Sequence, residues 1–64
     1  MKNILKESRL EKGLTQEQLA EKSQVARTII SELEMQKTKA IKNTTMEKIS
    51  KALNKTVPEI FFQD

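Results

Sequence analysis

The sequence predicts an all-α domain of five short helices, and three observations carry that expectation. One Gly and one Pro in 64 residues leave few sharp breaks in the chain. Apolar residues recur at spacings of three and four, and the β-branched apolar pair Ile29-Ile30 lies inside such a pattern rather than in a strand-like alternation. Short polar runs with the form of helix starts and stops punctuate the apolar pattern.

Residues 2–12 are good helix formers, with Ile4, Leu5 and Ser8 at helical spacing and Arg9 beside them. Gly13 follows where a helix needs a left-handed C-terminal residue, and Leu14 enters the core from the connection. Thr15-Gln16-Glu17-Gln18 has the form of a capping box, in which the Thr hydroxyl accepts from a backbone N–H and the Gln side chain reaches back. A second helix therefore starts at about Gln16 and ends near Ser23, with Leu19 and Ala20 inward. Gln24 and Val25 form a turn. A third helix runs from about Ala26 to Glu34, with Ala26, Ile30 and Leu33 on its inner side. Residues 35–43 are polar and lysine-rich and read as a loop. Thr44-Thr45-Met46-Glu47 has the form of another capping box, opening a fourth helix from about Thr45 to Leu53 with Met46, Ile49, Ala52 and Leu53 at helical spacing. Asn54 suits a left-handed stop. Val57-Pro58-Glu59 opens a last short helix, because Pro in a first turn lacks only an N–H that has no partner there. Ile60, Phe61 and Phe62 complete the apolar set. The expected core is Leu14, Leu19, Val25, Ile30, Leu33, Ile49, Leu53 and Ile60.

A 64-residue chain is expected to form a single domain over residues 1–64, with no room for an effector or oligomerisation domain. A core built from 36% hydrophobic residues, with no Trp or Tyr, is thin. Cys and His are absent, which excludes disulfides, zinc fingers and Cys or His nucleophiles. No Gly-rich phosphate loop or paired-acid constellation stands out either, so neither an enzyme, a small-molecule substrate, a metal nor a cofactor is expected. No apolar run approaches the ~18 residues of a membrane span, and no long apolar stretch follows the basic N-terminus, so a cytoplasmic protein without a signal peptide is the default. The net charge of +3 hides an asymmetry. Residues 37–55 hold six lysines and one acid, a net of +5, while the remainder sums to −2. A local positive field of that kind attracts phosphate.

Residues 16–35 carry the functional signal. Two short helices are separated by about three turn residues. The small Ala20 allows a close, steep crossing, Val25 fills the turn, and Ile30 and Leu33 anchor the third helix so that its outer face projects. Those are the requirements of a helix-turn-helix, whose second helix must enter a major groove about 12 Å wide. The stretches Arg9 to Lys22, Arg27 to Ser31 and Glu34, and later Lys48 to Asn54 and Pro58 to Phe61, resemble the Cro/lambda-repressor-like helix-turn-helix proteins of phages and bacteria, also called xenobiotic-response-element-type regulators. The resemblance runs from about Ile4 to Phe62.

That resemblance implies a compact five-helix DNA-binding domain with the helix-turn-helix formed by helices two and three. It places Arg27, Thr28 and Glu32 at base-reading positions, with Ala26 and Ser31 nearby. Arg27 suits guanine O6 and N7, Glu32 suits cytosine N4, and Ala26 or Ile29 suits a thymine methyl. Gln16, with Thr15 at the same helix start, would meet a phosphate, as would Lys37, Lys39 and Lys42 in the following loop; such contacts position without reading sequence. Lys48, Lys51 and Lys55 read as surface charge. Arg9 and Glu34 match a structural pair tying the first helix to the end of the third, and Phe61 matches a core position. Three residues depart from the family pattern. Gln24 stands where Gly is common in the turn, so a strained or reshaped turn is expected. Gln36 stands where Gly often follows the recognition helix, so a different helix end is expected. Glu32 puts an acid on the expected reading face, where it either accepts from cytosine or only repels phosphate or pairs with a lysine.

The last helix has apolar residues to spare. Val57, Ile60 and Phe62 are the expected dimer surface, centred on Phe62, because adjacent Phe61 and Phe62 point about 100° apart and cannot both enter one small core. The expected function is a sequence-specific double-stranded DNA-binding transcriptional regulator, a repressor that binds a palindromic operator as a homodimer. The competing reading, supported by Glu32 and the small net charge, is a protein-interaction module of the same fold. Steep salt dependence separates the two.

Overall fold

In the computed structural model, which describes residues 2–37 and 40–62, the five helices are α1 (Leu5–Glu11), α2 (Gln16–Ser23), α3 (Arg27–Glu34), α4 (Asn43–Ala52) and α5 (Val57–Phe61). Among the described residues there is no strand beyond a single bridge residue, Lys2. None of these helices is long enough to be stable alone in water, so each depends on what it packs against. Helix α2 packs on α3 and α4, α4 on α5, and α1 on α3 and α5. Between them lie Leu5, Leu19, Val25, Ile30, Leu33, Met46, Ile49, Leu53, Ile60 and Phe61, all buried. Leu14 is half-buried rather than central, and packs at the margin with Ala20, Ile41, Ala52 and Val57. Ala26 is not inward: it is exposed and serves as the extended N-cap of α3.

Two helix starts are closed by reciprocal side-chain bonds. Thr15 Oγ1 accepts from Gln18 N at 3.0 Å, and Thr15 N donates to Gln18 Oε1 at 2.8 Å. Thr56 and Glu59 form the same device at α5, which the sequence reading missed. The Glu59 carboxyl is held below its ordinary range, first by the Thr56 backbone N–H and then by its hydroxyl. The box expected at Thr44–Glu47 does not form. The loop delivers Lys42 in an extended conformation as the N-cap, its carbonyl already accepts from Met46 N, and Thr44 falls inside the helix. Helix α1 begins at Leu5, not Lys2, because tertiary bonds outweigh local propensity. Asn3 is 4% exposed, its Oδ1 accepts from Leu5 N, and its Nδ2 donates to the Leu33 carbonyl.

Four helices end on a residue in the left-handed conformation, yet Gly13 is the single glycine among them. The others are Gln24 (φ 62°), Gln36 (φ 58°) and Asn54 (φ 56°). At Gly13, Gln36 and Asn54 the backbone closes as a Schellman motif; after α3, Gln36 N donates to Leu33 O and Lys37 N to Glu32 O, both at 3.0 Å. The expectation that α3 would end differently is therefore corrected. It ends as a glycine-capped helix would, with Gln36 in the strained position. Gln36 has compensation: its side-chain amide bonds the backbone N–H and carbonyl of Asn3. Gln24 has only one exposed bond of 3.3 Å to the Glu21 carbonyl.

Arg9 and Glu34 close the space between α1 and the end of α3. Arg9 Nε lies 2.6 Å from Glu34 Oε2 and Nη2 lies 3.0 Å from Oε1, while Nη1 donates to the Leu14 carbonyl. The two side chains are 9% and 4% exposed. The guanidinium is held above its ordinary value, chiefly by the hydrogen bond to Glu34, so it stays charged despite burial. A second pair, Lys55 to Glu11 at 2.8 Å, joins the α4–α5 turn to α1 and holds the Glu11 carboxyl below its ordinary range. It is largely exposed and stabilises little.

Two outcomes follow for stability. Gln24→Gly removes a left-handed strain of roughly 1 kcal/mol and is expected to raise the melting temperature by several degrees, since about 1 kcal/mol moves a domain of this size by 4–8 °C. Gln36→Gly, at nearly the same φ, is expected to lower it, because the lost bonds leave buried backbone groups of Asn3 unpaired. Melting shifts of the same sign for both would contradict this account. Glu34→Ala strands a buried cation and is expected to cost about 3–5 kcal/mol in urea unfolding, against a total stability of about 3–10 kcal/mol for 64 residues. Arg9→Met combined with Glu34→Leu is expected to cost much less than Glu34→Ala alone.

Candidate nucleic-acid interface

Helix α3 divides cleanly between two environments. Ile30 and Leu33 are 0% and 1% exposed and lock its inner side into the core. Arg27, Thr28 and Glu32 are exposed on the other side, and Ser31 is half-buried between them. These four line one shallow depression on the surface. Positions 27, 28, 31 and 32 fall on neighbouring turns of one face, as the i, i+3 and i+4 spacing requires. No side-chain hydrogen bond or ion pair engages Arg27, Thr28 or Glu32 with another described residue. Glu32 therefore forms no ion pair with a described lysine, although it shares a second, more apolar depression with Ile29, Ala40, Ile41, Lys42 and Thr45.

Arg27 also lines a groove that runs over the α1–α2 connection with Arg9, Leu10, Gly13, Leu14, Thr15, Gln16 and Glu17. The structure thus brings Arg27 together with Thr15 and Gln16, at the start of α2, where free backbone N–H groups favour an anion. Gln16 is half-buried, and its Nε2 donates to Glu34 Oε1 at 3.1 Å. The buried ion pair therefore also orients the amide at this helix start, and the second amide hydrogen stays available. Lys37 and Lys42 are exposed on either side of the loop after α3, one closing that helix and the other capping α4. Lys39 lies outside the described residues.

At the far end of the chain the expected apolar surface is narrower than the sequence suggests. Ile60 is 0% exposed and belongs to the core, so it is withdrawn from the expected dimer surface. Ile60 and Phe61 both face inward. Val57 is half-buried against the same core. Phe62 alone of this set stands out, 60% exposed. Two features near α3 escaped the sequence reading. Asn3 and Gln36 meet across the helix end, a pairing between residues 33 positions apart with no periodic signal. Met35 is 52% exposed at the end of α3.

A family model described as helix-turn-helix matches residues 5–60. Curated proteins give no significant match, and neither do solved structures. No described helix is long and apolar enough to cross a membrane. The matched span begins at the first residue of α1 and ends within α5, so it covers the whole helical body, and the α2–turn–α3 unit at its centre has one buried and one open face on its second helix. The chain belongs to the helix-turn-helix family of the Cro/lambda-repressor-like kind, a family of DNA-binding regulatory domains.

Proposed function

We propose that this protein is a transcriptional repressor that binds a palindromic operator as a homodimer, with α3 in the major groove of each half-site. The open face of α3 carries this reading: Arg27, Thr28 and Glu32 stand exposed and unengaged on a helix whose opposite side is anchored by Ile30 and Leu33. Arg27 donates two hydrogen bonds to guanine O6 and N7, and Glu32 accepts from cytosine N4, with Thr28 and Ser31 between them and Ala26 at a thymine methyl. Thr15, Gln16, Lys37, Lys39 and Lys42 meet phosphates and set the register. Occupying the operator is enough to exclude a polymerase from overlapping DNA. Such a protein works in the cytoplasm, on the nucleoid.

The size of one copy favours a dimer. The described residues extend at most 25 Å, less than the roughly 34 Å of one DNA turn. One copy cannot reach two successive major grooves on the same side of the duplex, whereas two copies can. Exposed Phe62 supplies the apolar contact; burying one such ring is worth roughly 1.5–3 kcal/mol, and a two-fold axis counts it twice.

Selection of bound sequences from random DNA, followed by titration of variants, tests the reading. Arg27→Ala is expected to cost about 1–3 kcal/mol at the selected site and to relax one base position. Glu32→Gln is expected to change the base preferred at another. Lys42→Ala is expected to weaken all sequences alike and to lower the salt slope by about one. Salt-insensitive binding, or no selected sequence, would leave the protein-interaction role instead. Sedimentation of wild type against Phe62→Ser addresses the dimer. The wild type is expected to associate with a Kd on the order of micromolar, tightened on operator DNA, and the variant to stay monomeric at the same concentration.

A further inference from the structure

Asn3 and Ile4 are bonded in two directions. Towards α3, Asn3 N donates to Gln36 Oε1 at 3.1 Å, and Gln36 Nε2 donates to the Asn3 carbonyl at 3.0 Å. The Gln36 amide thus takes both backbone groups of Asn3, as a residue on a neighbouring strand would. Asn3 Nδ2 adds bonds to the Leu33 carbonyl at 2.9 Å and to Gln36 Oε1 at 3.2 Å. Towards α5, Ile4 N donates to the Ile60 carbonyl at 2.9 Å. Helix α3 packs chiefly on α1 and α2, and α5 on α1 and α4. The two-residue segment is therefore a direct polar link between the end of the reading helix and the helix that precedes Phe62.

We infer that Asn3 and Gln36 form a strap that fixes the reading helix relative to the α5 end of the molecule, and thereby sets the half-site spacing that a dimer accepts. The inference rests on the dimeric operator reading above. Two observations support it. Gln36 keeps a left-handed φ of 58° that glycine would hold without strain, so its side chain has a use there. The carbonyl that receives Ile4 belongs to Ile60, two residues before the exposed Phe62. The leverage is also sufficient. A tilt of about 10° across a body 25 Å long moves its far end by about 4 Å, more than one base-pair step of about 3.4 Å. Gln36 is a positioning residue on this account, since it acts through the placement of α3 and not on a base.

The test uses the full chain and a set of duplexes with two selected half-sites whose spacer varies by single base pairs, together with an isolated half-site. Wild type is expected to prefer one spacer by at least about tenfold over its neighbours. Gln36→Gly, Gln36→Asn and Asn3→Ala are expected to compress that preference to about threefold or less, while each keeps the base preference of the half-site and remains folded by circular dichroism at the assay temperature. Asn suits the left-handed conformation but is one methylene shorter, so it separates loss of grip from relief of strain. Variants that keep the tenfold spacing preference overturn the strap. Loss of spacing and base preference together also overturns it, in favour of general loosening. A wild type that binds the half-site with no spacing preference removes the dimeric reading itself, and the strap with it.

Discussion

The Glu34 carboxylate holds three helices together. It accepts from Arg9 Nε and Nη2 on α1 and from Gln16 Nε2 on α2, while its own backbone ends α3. A charge that is 4% exposed is tolerated only where it is fully paired. The two charges therefore do not add much net stability over an apolar filling, but they make other arrangements costly. A shifted α1 or a rotated α3 would leave a buried ion without its partner. In a chain of 64 residues with no Trp, Tyr or Cys, the pair adds a geometric requirement that apolar packing alone does not impose. It also links fold to interface, because the same carboxylate orients Gln16 at the start of α2.

Much of the fold was legible because its signals are local. Thr15 and Gln18 lie three residues apart, and nothing distant can prevent their reciprocal bonds once the helix forms. Gly13 and Asn54 mark helix ends for reasons contained in their own φ. Ile30, Leu33, Ile49 and Leu53 are buried as their spacing requires. The failures lie at helix boundaries. Asn3 reads as a tolerable residue in a helical run, and only its bonds to Leu33 and Gln36 turn it into a stop. Thr44 has the right neighbour at Glu47, but the preceding loop sets where α4 begins. Ala26 sits at helical spacing from Ile30, yet it caps the helix and does not enter it. At Asn3 contacts from elsewhere in the chain outweighed a local helix preference worth less than about 1 kcal/mol per residue, whereas at Thr44 and Ala26 the helix boundary falls beside the residue that the local pattern marked.

Of the candidate site, the shared open face was legible and the supports were not. Arg27, Thr28 and Glu32 share one open face because residues one, four and five positions apart must do so on a helix. The tie from Gln16 to Glu34 and the bond from Gln36 to Asn3 join residues 18 and 33 positions apart, and no spacing rule announces them. Phe61 and Phe62 show the same division at the C-terminus. Their 100° separation required one to be inside and one outside, and they are 0% and 60% exposed. Ile60 was expected both in the core and on the dimer surface, and it lies in the core; an apolar surplus counted along the sequence says nothing of how deep α5 sits.

The charge pattern makes an acid on the reading face intelligible. Residues 37–55, which follow α3 in the chain, carry the excess positive charge. That field attracts any duplex and is indifferent to sequence. On the proposed reading Arg27 adds to it while favouring guanine, so it would raise specific and non-specific binding together, and Glu32 would act in the opposite sense. It faces the same depression as Arg27, without an ion pair to any described lysine. Against a base that cannot donate, its carboxylate loses water and gains nothing, a cost of several kcal/mol in a buried site. Against cytosine N4 it recovers a charge-assisted hydrogen bond. On the proposed reading, the lysines supply the encounter and Glu32 subtracts binding from most sequences it meets. Such a penalty contributes to discrimination just as a further attractive contact would, because specificity is a difference between affinities.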